Sequence, residues 1–378
     1  MGPLHGVTVI EIKGIGPGPY AGMLMADLGA DVVVVERASG PSGIALPAET
    51  DVHSRGKRSI ALNLKTAQGL EALMRLVANA DVLIEGYRPG VAERLGFGPD
   101  ACHAVNPTLI FGRLTGWGQD GPLAATAGHD INYISIVGAL AAIGQADKPT
   151  VPLNLIGDYA GGSLFLVIGV LAALLEARES GQGQVVDTAI TDGAAHLMSG
   201  FHGWQNSGFW HNARARNVLD GAAPNYDVYT TSDGQLISVG ALEPQFLAAL
   251  LDGLGLSEQL DFAAFTPAAW PDTKRKIADV IGAQTQQHWL EVFDGTDACV
   301  APVLDIQQAL LHPHNQARGT YVDIAGVPQP APAPRFTRSD CATPRPPRAE
   351  GADSDSVLES LGYSADDIAQ MRRDGSVT

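Results

Sequence analysis

Four runs, VTVIEI (7–12), DVVVVER (31–37), DVLIEGY (81–87) and TLIFGRL (108–114), are apolar, β-branched and nearly continuous, with helical patterns between them. A strand that reads apolar on both faces must be covered on both faces, and a parallel sheet flanked by helices does this. PYAGMLMADLGA and TAQGLEALMRLVANA supply two such helices. Alternation of this kind closes as right-handed crossover units. The pattern predicts an α/β fold built on a parallel sheet. Ligands of such sheets lie at the carboxyl ends of the strands. The loops after Ile12, Arg37, Tyr87 and Leu114 are therefore the expected places for a site.

At 378 residues the chain exceeds what a single core usually fills, so two domains are expected. From about Gly157 to Trp210 the pattern is helical throughout. From about Tyr226 the texture changes: YDVYTTSDGQLISVGAL reads as a hairpin around a Ser-Asp-Gly turn. Helical patterns follow near Gln245–Leu251 and Lys274–Ile281, and then DACVAPVLD. The Pro- and Ala-rich VPQPAPAPRFTRSDCATPRPPRAEG reads as an extended connector, and a helix near Ser356–Arg373 closes the chain. The expected division is a large domain over 1–215, a smaller α+β domain over 216–325, and a connector with a helix over 326–378 that returns to the large domain. YAGGSLFLVIGVLAALL (159–175) imitates a membrane span but falls short of the roughly 20 apolar residues a bilayer needs, and Asp158 abuts it. It is expected to be a buried helix.

With 41 acidic against 24 basic side chains the net charge is −17, which argues against nucleic acid or an anionic membrane as partner. A small anionic ligand on a local basic cluster remains compatible with it. Cys102, Cys299 and Cys341 are too few and too scattered for a disulfide framework or a metal site. Thiols of this kind suit a reducing cytoplasm. The first residues run straight into a strand pattern, and the final GSVT is not a Ser-Lys-Leu-type peroxisomal signal, so a cytoplasmic protein is expected. GIGPGP (14–19) follows a strand and precedes a helix, but its glycines miss the dinucleotide spacing and Pro17 and Pro19 remove two donors. It is a weak nucleotide signal, though a ligand can approach such a turn closely.

Three polar residues stand out against this apolar background. His129 opens AGHDINYISIVGAL; a histidine on such a segment is more often a hydrogen-bonded core residue than a catalyst. Asp158 precedes the long apolar run, where capping a helix would be an adequate job for it. Gly161 and Gly162 leave room beside that carboxylate. Glu243 lies in VGALEPQF, before Pro244 at a natural first helical position, where an acid is favourable in any case. A separate basic group comprises Arg55, Lys57 and Arg58 of HSRGKRS, then Lys65, Arg37, Arg88 and Arg94. It is either a solvated face or the cradle of a phosphate-bearing ligand over the strand ends.

In chain order, GIGPGPYAGMLMADLGADVVVVER, ADVLIEGYRPGVAERLG, TGWGQDGP, AGHDINYI, PLNLIGDYAGGS and GQGQVVDTAITDG resemble the family III CoA-transferase superfamily, more narrowly its α-methylacyl-CoA racemase branch. The similarity continues through VGALEPQF, DACVAPVLD and APAPRF. The resemblance implies an interlocked homodimer of large Rossmann-like and small α+β domains, with each active site shared between the chains. It implies an isomerase that epimerises the α-carbon of 2-methylacyl-CoA thioesters without a cofactor or metal, CoA being part of the substrate. His129 and Asp158 would be the two acid/base groups, and Glu243 would support His129. CoA contacts carry over to Arg37, to Leu62, Asn63, Leu64 and Lys65, to Gly86, Tyr87 and Arg88, and to Arg94. They also include Gly128, Asp130, Ile131, Asn132 and Tyr133. The sequence departs from the family where Tyr159 and Ala160 interrupt the glycines after Asp158, which bears on the acyl pocket.

Such chemistry removes the α-proton on one face and returns one on the other, so it wants two acid/base groups around one carbon. Burial must raise the Asp158 carboxyl toward an imidazole's range, while a helix N-terminus opposes that. Backbone N–H groups around His129 and Asp130 would hold the enolate oxygen. One alternative is a family III CoA-transferase on the same fold, with Asp158 as nucleophile. His129, and the lack of a glycine-rich loop in the second domain, speak for the racemase. The other is a non-catalytic acyl-CoA-binding module, against which stand three polar groups each beside a Gly or Pro.

Overall fold

The structure is a computed structural model that describes residues 1–40 and 46–378. It divides into two compact units, one of residues 1–137, 153–197 and 318–378 and the other of 138–152 and 198–317. Residues 198–215 thus join the second unit, and 318–325 join the first.

The first unit holds a six-stranded sheet of β1 (Thr8–Ile12), β2 (Asp31–Arg37), β3 (Arg58–Leu62), β4 (Val82–Glu85), β5 (Ile110–Thr115) and β6 (Val185–Ala189). Its order is β3-β2-β1-β4-β5-β6, and every pairing is parallel. The apolar runs are continuous because both faces are covered. Ile10, Val33 and Leu83 pack with the helix Ala67–Val77 and with Val357, Leu358, Ile368 and Met371 of the last two helices. Val9, Val32, Val82 and Ile110 face Met25, Leu166 and Val170 on the other side. Thr66 starts the helix Ala67–Val77 by accepting from the Gly69 N–H at 3.1 Å.

Two strands depart from the expected pattern. β3 is a short edge strand within a charged segment, and the returning C-terminus covers it: Asp353 accepts from the Ser59 N–H, and Val377 bridges to Leu62. β6 interrupts the expected helical stretch. The closing helix is two, Ser354–Ser360 and Ala365–Arg373, separated at Gly362 with φ 85. The Pro-rich connector is extended as expected, except that Val327–Pro330 pairs with Tyr321–Ile324 as a hairpin.

The long apolar helix, Leu155–Ser180, is not buried as expected but half covered. Leu166, Val170 and Ala173 face the sheet, while Leu164, Ile168 and Leu175 are exposed, Ile168 at 62%. Its first part, Leu155–Leu164, is wound as a π-helix: the Tyr159 N–H donates to the Asn154 carbonyl, five residues back, at 3.3 Å.

The second unit has the expected hairpin, β7 (Tyr226–Thr230) with β8 (Leu236–Gly240), plus β9 (Val300–Pro302) out of DACVAPVLD. Ile237, Val239, Leu250, Ile277 and Trp289 form its core with the helices Pro244–Gly253 and Trp270–Ile281.

Candidate active site

In this strand order the chain leaves β1 toward β2 on one side and returns at β4 on the other. The crevice at the carboxyl ends of β1 and β4 is the place such sheets reserve for a ligand. The loop after β1, Gly14–Gly18, and the loop after β4, Gly86–Pro89, flank a cavity of about 300 Å³ there. His129, Gly128, Tyr133 and Asp158 line the same cavity. GIGPGP is thus a wall of the site: Gly16 has φ 71, and a Cβ on it would lie 3.2 Å from Asp158 Oδ2.

His129 is held in place from both sides. It caps the helix Asp130–Ile136, and its N–H donates to Asn132 Oδ1 at 3.1 Å. The Tyr133 hydroxyl donates to the Gly128 carbonyl, and its ring meets Trp117 edge-on at 4.7 Å. That ring fits because Gly116 and Gly128 lack side chains: a Cβ on Gly116 would fall 2.0 Å from Tyr133 Cζ, and one on Gly128 2.7 Å from its Cε1. The His129 side chain is exposed on this frame.

Asp158 does not cap a helix, the ordinary job open to it. It sits within the π-wound turns, half-buried, with Asn154 Nδ2 donating to its Oδ2 at 3.4 Å. Burial pushes its carboxyl up to about 6; Asn154 opposes this, the Asp130 charge adds to it, and His129 opposes it. Burial is the largest of these influences.

A second cavity, of about 510 Å³, lies over the ends of β2 and β3. Arg37, Leu62, Asn63, Leu64, Lys65, Tyr87, Arg88 and Arg94 line it, and Tyr87 and Arg88 belong to both cavities. Residues spread over 58 positions of sequence are thus brought to one place by the parallel sheet. Glu85 fixes the connecting loop by accepting from the Tyr87 N–H at 2.7 Å. Arg37, Lys65, Arg88 and Arg94 are exposed and form no ion pair among the described residues. Ile131 and Asn132 line neither cavity, and the Asp130 side chain is turned inward.

The remaining basic residues do something else. Arg55 is 2% exposed, pairs with Asp27, and donates to Gln329 Oε1 at 2.9 Å and the Pro330 carbonyl at 2.7 Å. Lys57, also 2% exposed, pairs with Glu11 and reaches the Pro19 carbonyl at 2.9 Å. Arg58 pairs with Asp31. They are framework ties, neither a solvated face nor a phosphate cradle. Glu243, in the second unit, is an exposed residue at the N-cap of the helix Pro244–Gly253, with Pro244 at the first helical position as expected. Among the described residues no His, Cys, Asp and Glu group is arranged to hold a metal.

The profile of CoA-transferase family III matches residues 4–354. The chain is 44% identical to the α-methylacyl-CoA racemase of Mus musculus over 98% of its own length and 96% of the relative's. It is 40% identical to the enzyme of that name from Homo sapiens, with the same coverage. A succinate–glutarate CoA-transferase of Agrobacterium fabrum is 31% identical over 85% of each chain. The crystal structure of a CAIB/BAIF family protein from Brucella suis superposes with a TM-score of 0.81 at 26% identity, over 95% of this chain and 99% of that one. The chain belongs to CoA-transferase family III, in the branch of the α-methylacyl-CoA racemases.

Proposed function

We propose that the protein interconverts the two configurations at the α-carbon of 2-methylacyl-CoA thioesters by proton transfer through an enolate. The observation that carries this is the placing of His129 and Asp158 around one cavity, with the Asp158 carboxyl raised to about 6. Neutral His129 takes the α-proton of one epimer, and protonated Asp158 delivers a proton to the opposite face. The reverse reaction exchanges their roles. A carboxyl raised to about 6 keeps its proton closer to neutral pH than an ordinary carboxyl does, so Asp158 can act as the acid as well as the base.

The enolate oxygen needs a donor. The His129 N–H is taken by Asn132, whereas no acceptor takes the Asp130 N–H among the described residues. The Asp130 N–H, first in its helix, is our assignment for that donor. CoA lies with its phosphates on Arg37, Lys65, Arg88 and Arg94, and its thioester reaches the first cavity past Tyr87. The reaction uses no cofactor beyond the CoA of the substrate. The exposed stripe of Leu164, Ile168 and Leu175 is the face that a second copy covers, and Glu243 of that copy steadies the His129 imidazole.

The test is proton NMR of a 2-methylacyl-CoA of single configuration, incubated with the protein in heavy water. Loss of the α-proton signal with appearance of the other epimer is expected. An unchanged α-proton, with transfer of CoA to a second carboxylic acid, would replace this reading by the transferase.

A further inference from the structure

We infer that the Asp130 carboxylate is a positioning residue for Asp158: it caps, from a neighbouring helix, the π-wound turn that carries the acid/base carboxyl. This deepens the proposed function and rests on it for the role of Asp158. The resemblance implied Asp130 only as a CoA contact.

The argument begins with the unmet needs of a helix start. A π-wound segment leaves its first N–H groups without partners inside the helix, as every helix does at its N-terminus. Here the helix cannot be continued backwards, because Leu153 has φ 58, in the left-handed region. Nor does the local cap help: the Asn154 side chain makes no capping bond and turns to Asp158 Oδ2 instead. The N–H of Asp158 donates to Asp130 Oδ1 at 2.7 Å, and the N–H of Gly157 to the same carboxylate.

Space for that arrangement exists only because residue 157 is glycine. A Cβ there would lie 2.3 Å from Asp130 Oδ1 and 3.0 Å from Ile134 Cγ2. Asp130 is 7% exposed, and its Oδ2 is buried without a partner. A buried carboxylate with one satisfied oxygen is costly to keep. What it maintains is the backbone position of Asp158. Its charge also bears on the Asp158 carboxyl, in the direction that favours the protonated form. The other titratable groups facing Asp158 are His129, which acts the opposite way, and Tyr133 on the same helix as Asp130. From Pro17–Asp27, Ile190–Leu197 and β5, which also pack on this turn, no further charge bears on it among the described residues.

Two variants separate position from charge. Asp130→Ala removes the cap, and kcat should fall by about 10–100-fold while KM for the CoA ester stays within about threefold. Asp130→Asn keeps an acceptor for the two N–H groups, and kcat should fall by a smaller factor, with the ionisation of Asp158 moved to lower pH. Equal kcat in both variants, or wild-type kcat in Asp130→Ala, would overturn the proposal. A second measurement needs no activity. The stability difference between the wild type and Asp158→Asn starts to grow at the carboxyl's unfolded-chain value and levels off at its folded value, so the levelling-off pH should shift downward in an Asp130→Asn background. An unshifted levelling-off pH also overturns the proposal. Loss of racemisation in the wild type, with the shift present, would remove the racemase reading and leave the coupling standing.

Discussion

In the proposed mechanism Asp158 sets stability against function. Its folded carboxyl is raised to about 6, whereas in the unfolded chain it ionises near its ordinary value, about 3.9. The favourable contribution of the neutral form is present below pH 4 and is lost as pH rises through 6. Asp158→Asn cannot ionise, so its melting temperature should equal the wild type's near pH 4. Above pH 6 the variant should be the more stable by about 1 kcal/mol, discounted for partial exposure. Calorimetry across pH 4–8 checks this, and a variant no more stable at pH 7.5 than the wild type would contradict the raised carboxyl. The same variant, and His129→Ala, should each lose about 10²–10⁴ in racemisation rate, measured by α-proton exchange. Arg94→Ala should instead raise KM for CoA esters about tenfold with kcat little changed, as a charge-assisted phosphate contact would. His129 and Asp158 were legible as residue types with room beside them. The Asp130 bond was not, because nothing in a sequence tells which N–H a carboxylate 28 positions away will meet.

Among the elements, the crossing of the π-wound turns and the helix Ile190–Leu197 is set by two glycines. A Cβ on Gly193 would fall 1.8 Å from the Gly161 carbonyl oxygen, and one on Gly161 2.8 Å from the Ala194 N. Backbone cannot yield as a flexible side chain can, so Gly193→Ala should cost about 3 kcal/mol or more in urea unfolding and displace Asp158 with it. A loss under 1 kcal/mol would mean that the two helices are free to separate. Glycines 161 and 162 were read as room beside the Asp158 carboxylate; Gly161 in fact makes room for another helix. The strands with continuous apolar runs were recognisable, whereas β3 and β6 were not. β3 carries Arg58 and is finished by the returning C-terminus, and β6 follows its helix after a short turn at Gly181, with three of its five residues no more than half-buried. Their strand character comes from the neighbour that each one pairs with.

At the level of the whole molecule, the sheet order places the loops after β1 and β4 together, and the buried Arg55–Asp27 ion pair and the Lys57 bond to the Pro19 carbonyl tie the segment after β2 to the helix Pro17–Asp27. Arg55→Met should leave Asp27 unpaired in the interior and cost about 3–5 kcal/mol, with KM for CoA esters unchanged in the folded fraction. A selective rise in KM would restore Arg55 to the phosphate site. Ile168→Asp should convert a dimer to monomers in sedimentation and lower the racemisation rate at least tenfold; a fully active dimer would sink the assignment of that stripe. The sequence by itself determined the parallel α/β architecture, since runs apolar on both faces have no other stable home. It also determined the hairpin of the second unit and the kinds of residue available for proton transfer. Tertiary structure alone decided which cations stay free for a ligand and which are consumed as internal ties, for HSRGKRS and GYRPGVAERLG read alike as charge. It decided too that burial raises the Asp158 carboxyl and that a neighbouring helix caps its turn. Desolvation and hydrogen-bond partnership depend on atoms distant in the chain, and only the fold brings those atoms within reach.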